Sequence, residues 1–80
     1  MCDYFLEVIS MELADIQIRL RTAIKESGKP QKLIAKEIGV SAQTVSKYMK
    51  ENIFPALDTF AKLCAFLDVS ADYILGISDH

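Results

Sequence analysis

Residues 31–50 read QKLIAKEIGVSAQTVSKYMK, and their pattern is that of two short helices meeting at Gly39. Leu33, Ile34, Ala35 and Ile38 supply the apolar positions of the first helix. Pro30 fits its first turn, where a missing N–H costs no hydrogen bond. Gly39 stops that helix, since glycine takes the left-handed conformation without a Cβ clash. Val40 fills the turn, and the Ser41 hydroxyl is placed to accept from a free N–H of the helix that follows. There Val45, Tyr48 and Met49 fall at i, i+3 and i+4 and turn inward together. That leaves Ala42, Gln43, Ser46, Lys47 and Lys50 on an outer face that is polar and basic.

Working outward, Leu13, Ile16, Leu20, Ala23 and Ile24 recur at steps that place one stripe of a helix against a core, ending near Ser27-Gly28. Downstream, residues 51–55 form a loop. Leu57, Phe60, Leu63, Cys64 and Leu67 trace a fourth helix, and a fifth begins after Ser70, carries Tyr73, Ile74 and Leu75, and stops at Gly76. Nothing beyond the first ten residues alternates over a strand's length, so the chain is predicted to be all-α, with a helical domain over residues 13–76 and a tail over 77–80. Residues 1–12 form an arm: Leu6 and Ile9 continue the stripe of the first helix, which extends that helix backwards or places another before it. Such an arm packs on a second subunit or on the fifth helix; the alternative is a start at Met11 preceded by a disordered leader.

With 80 residues the chain forms one domain. Apolar residues make up 51% of it and the mean hydropathy is +0.21, so apolar surface is expected to remain for a partner and self-association follows. No apolar run approaches the roughly 18 residues of a membrane span, and no signal peptide precedes the domain, which predicts a cytoplasmic protein. Cys2 and Cys64 are too few for a disulfide framework, and Cys64 reads as a small core hydrophobe. Ligand clusters for a metal, cysteine–histidine or serine–histidine pairs and glycine-rich phosphate loops are all missing from the sequence, which excludes an enzyme and implies no cofactor.

The charge is uneven. The whole chain carries −2, yet residues 16–50 hold eight basic side chains and only two acidic ones. A local basic face is what a polyanion senses within a Debye length of about 8–10 Å, whatever the overall balance.

A tight glycine turn between two helices, the second capped and polar outside, is the mechanical requirement of a helix-turn-helix. Counting from Gln31, a small residue comes fifth (Ala35), glycine ninth (Gly39) and a β-branched apolar residue fifteenth (Val45). Ala35 lets two backbones approach, Gly39 turns the chain, and Val45 plugs the angle between the helices. The stretches GKPQKLIAKEIGVSAQTVSKYMK and FPALDTFAKLCAFLDVSADYILG resemble the phage-repressor helix-turn-helix family of Cro/cI or XRE type, over about residues 13–76.

That resemblance implies a compact five-helix bundle of lambda-repressor-like type. It also implies operator binding as a homodimer that regulates transcription, with repression favoured. Position by position, Ala42, Gln43, Ser46 and Lys47 match the residues that face base edges. Gln43 is suited to adenine N6 and N7, Lys47 to guanine O6 and N7 or a phosphate, and Ala42 to a thymine methyl. Gln31, Lys32, Thr44, Lys50 and Asn52 match positions that hold phosphates and fix register. Two departures concern a semi-buried ion pair that the family often makes. Its places are held here by Ile24 and Met49, an exchange that removes both charges together, and the two side chains are expected to touch. Leu33 and Pro30 also stand where the family favours polar and capping residues. A rival reading keeps the fold but makes it a protein-interaction module, such as the antitoxin partner of a toxin, with or without DNA binding.

Overall fold

Each predicted apolar stripe becomes one wall of a shared core. In the computed structural model, which describes residues 12–77, the helices are α1 (Leu13–Glu26), α2 (Gln31–Ile38), α3 (Ala42–Lys50), α4 (Leu57–Leu67) and α5 (Ala71–Leu75). No strand occurs among the described residues. The arm expected over residues 1–12 and the tail expected over 77–80 lie outside them except for Glu12 and Ile77.

Every helix contributes to the core: α1 gives Leu20 and Ile24, and α2 gives Ile34, Ala35 and Ile38. From α3 come Val45 and Tyr48, from α4 Leu63 and Cys64, and from α5 Ile74. The helix α2 packs on both α3 and α4, while α1 packs on α5 and α3. Met49 packs against the same cluster that contains Ile24, so both places of the exchanged ion pair are apolar and face one core.

Three details depart from the periodic reading. Pro30 precedes α2 as its N-cap residue rather than sitting in its first turn, with extended geometry (φ −64°, ψ 147°). Its carbonyl accepts the Ile34 N–H at 3.1 Å and starts the helix. Leu33 is exposed, because Ile34, Ala35 and Ile38 already fill the inner face of this eight-residue helix. Leu57 is 84% exposed at the first position of α4, and Leu13 is 65% exposed at the start of α1. Both flank an apolar groove of about 180 Å³ whose floor includes Ile16, Phe54 and Phe60.

Burial pushes the Cys64 thiol and the Tyr48 phenol above their ordinary pKa values of 9.0 and 10.0, because desolvation disfavours the anions. The folded state therefore retains protons that the unfolded chain releases at alkaline pH. Stability attributable to these groups is complete below the unfolded values and declines as pH rises past them. Urea unfolding is expected to show a midpoint that falls as pH rises past 9.0 and further past 10.0, and a Cys64→Ala, Tyr48→Phe variant is expected to flatten that decline.

Candidate nucleic-acid interface

The geometry of the α2–α3 unit begins at its turn. Gly39 adopts φ 80° and ψ 30°, the left-handed region that other residues enter only at a cost. The N–H groups of Gly39 and Val40 both donate to the Ala35 carbonyl, at 2.9 and 3.0 Å, which closes the end of α2. Beneath the turn Ala35 is buried and Val45 has no exposed surface, so the two helices meet through a small residue and a branched one.

Ser41 then starts α3 as its sequence position predicts. Its Oγ accepts the Thr44 N–H at 3.1 Å and lies 2.9 Å from Thr44 Oγ1. The two hydroxyls carry two protons and use one between themselves, so one remains to donate outward. Thr44 itself is half-buried.

Outward from α3, Gln43, Lys47 and Lys50 are exposed, while Ala42 and Ser46 are half-buried beside them. Gln31 and Lys32 are exposed at the start of α2. Asn52 is exposed beyond the other end of α3, bordering a hollow it shares with Leu13, Ala14 and Gln17. The nine residues of α3 separate its two ends by about 13 Å.

Counting charges misplaces two of the basic residues. Arg19 and Arg21 do not extend the lysine surface: Arg19 Nε donates to the Ile74 carbonyl at 2.9 Å, and Arg21 Nε donates to the Tyr48 carbonyl at 3.0 Å. Arg21 also donates from its NH2 group to the Glu51 carbonyl at 3.1 Å, and Gln17 Nε2 donates to that same oxygen at 2.7 Å. Carbonyls at a helix C-terminus lack intrahelical donors and carry partial negative charge, so an arginine both satisfies and complements them. In this way α1 closes the ends of α3 and α5. Gln17 is the buried polar side chain among the described residues, and its signal in the sequence was a glutamine falling on the stripe of Leu20 and Ile24. Lys29 is also partly engaged, with Nζ 5.2 Å from the centre of the Phe66 ring.

A capped helix that buries one face and presents the other, joined at a glycine turn to a helix that braces it, defines a helix-turn-helix domain. Residues 20–74 match the family model described as "Helix-turn-helix". The chain belongs to the helix-turn-helix family of phage-repressor, XRE type. It is 36% identical over 61 residues to the uncharacterized HTH-type transcriptional regulator YobD of Bacillus subtilis, a match covering 76% of this chain and 54% of that protein. Over 58 residues it is 34% identical to the HTH-type transcriptional regulator ImmR of the same organism, covering 72% of this chain and 46% of that one. The chain thus spans about half the length of these curated relatives. No solved structure matches it.

Local geometry makes the turn testable. An added Cβ at Gly39 meets nothing within 4 Å, so the penalty of Gly39→Ala is backbone strain alone, about 1–2 kcal/mol by urea unfolding. Ser41→Ala removes the cap and is expected to cost about 1 kcal/mol, lowering the thermal midpoint by roughly 4–8 °C.

Proposed function

We propose that this chain binds double-stranded DNA sequence-specifically and regulates transcription, with α3 entering the major groove. The observation that carries this reading is the division of α3 into two faces. Val45 and Tyr48 are locked in the core, and Gln43 and Lys47 stand in solvent on the other side. Gln43 reads adenine through its paired amide donor and acceptor, Lys47 reaches guanine O6 and N7 or a phosphate, and Ala42 and Ser46 border them along the groove. Gln31, Lys32, Thr44, Lys50 and Asn52 hold the backbone on either side. Membership of a family whose relatives are named transcriptional regulators supports the same reading, and it supports a binding protein over an enzyme.

Finer points rest on the same basis. Homodimerisation is supported by the exposed Leu13 and Leu57 beside the apolar groove, and a pseudo-palindromic operator then requires two copies of α3 about 34 Å apart. Repression is the favoured mode, because occupancy of a site that overlaps a promoter blocks transcription without a further surface. A cytoplasmic location fits both, and no helix among the described residues is long and apolar enough to cross a membrane. The same apolar groove favours one second reading, in which the domain also holds a protein partner such as a toxin.

Titration of a duplex against salt tests the main reading. A protein that neutralises several phosphates loses affinity along a steep log–log slope. Lys47→Ala is expected to weaken binding and to reduce that slope by up to about one, whereas Gln43→Ala chiefly relaxes sequence preference, by about 1–3 kcal/mol at one base step. Binding that ignores salt, or is indifferent to both substitutions, refutes this assignment of the reading face.

A further inference from the structure

A recognition helix reads bases only if its axis is held still. At its amino end α3 is fixed by the turn at Gly39, the Ser41 cap and the plug of Val45. Towards its carboxyl end Tyr48 is buried in the core, and the last turn then runs into an extended residue, Glu51 (φ −124°, ψ 167°). The directional bonds at that end come from α1: Arg21 bridges the Tyr48 and Glu51 carbonyls with two nitrogens, and Gln17 Nε2 adds a second donor to Glu51 O. The Glu51 carbonyl, with two lone pairs, is thereby filled. Across the length of α3 a tilt of about 10° moves one end by about 2 Å, more than a bidentate base contact tolerates.

We propose that Arg21 and Gln17 are positioning residues for base reading. They set the orientation of α3 from its carboxyl end, and so govern sequence discrimination rather than attraction to phosphates. Met49 packs against the core cluster that includes Ile24, and apolar packing of this kind has no directional bonds, which leaves direction to the Arg21 fork and the Gln17 amide. The role rests on the reading of α3 as the helix that enters DNA.

The test compares wild type with Arg21→Met, Arg21→Lys and Gln17→Leu. Two probes serve: a duplex selected by the wild-type chain from a randomised pool, and a duplex of random sequence. The ratio of the two affinities is expected to fall about tenfold in Arg21→Met and severalfold in Gln17→Leu, with the salt slope unchanged. Arg21→Lys restores part of the ratio, because one donor reaches Tyr48 O while the fork is lost. Residual dipolar couplings of the free Arg21→Met protein are expected to show α3 turned relative to α2. An unchanged ratio overturns the role. So does a loss that is equal on both duplexes and lowers the slope by about one, since Arg21 is then a phosphate contact. Wild-type protein that shows no salt-dependent binding brings down the DNA reading itself, an outcome distinct from any failure of the variants. Gln17→Leu puts an apolar side chain of similar size in a buried place and leaves Arg21 intact, so it answers the question even where Arg21→Met does not fold.

Discussion

The close approach of α2 and α3 is the constraint on which the other features depend. It needs a residue at Ala35 that adds little bulk, a side chain at Val45 that fills the angle, and a backbone at Gly39 that turns left-handed. Satisfy those three and the inner face of α3 is committed to the core, which in turn commits the opposite face to solvent. The placement of Gln43 and Lys47 is therefore a result of packing beneath them. Helix propensity has little part in it, since helices of eight and nine residues are too short to be stable alone.

Around that contact the chain assigns its cations to different tasks. Arg19 and Arg21 point back along the surface of α1 toward the carbonyl ends of α5 and α3. Planar guanidinium groups with several donors suit that work better than ammonium groups. Lys32, Lys36, Lys47 and Lys50 are exposed, as point charges suited to a polyanion. The −2 of the whole chain is compatible with this arrangement because most acidic residues lie outside the stretch that bears the lysines.

The sequence made some of this legible and hid the rest for physical reasons. Glycine, alanine and valine at fixed places around a turn specify local backbone geometry, so the two helices, their junction and the outward face of α3 could be read directly. Ser41 was legible for the same reason, since its partner Thr44 is three residues away. Exposure of Leu13, Leu33 and Leu57 was not, because a periodic stripe records which residues share a side and is silent about whether anything stands opposite. Arg21 and Gln17 were hidden more deeply. Their acceptors are backbone carbonyls 27 and 34 residues away, and a carbonyl has no identity in a sequence. Charge counting placed Arg21 on the basic surface, where composition alone must put it. Of the residues assigned to bases and phosphates, Gln31, Lys32, Gln43, Lys47, Lys50 and Asn52 are exposed, whereas Ala42, Thr44 and Ser46 are half-buried, Ala42 against the core, because a helical pattern gives a direction and not a depth. What each would touch depends on a duplex.

Segregating arginines from lysines also separates shape from attraction. A change at an exposed lysine, whether by substitution or by acylation of its amine, alters how strongly the surface draws a polyanion and leaves the scaffold beneath it alone. A change at Arg19 or Arg21 acts the other way, disturbing geometry before field. Variation among such chains can therefore tune grip and alignment independently, through two sets of residues that share a sign and almost nothing else.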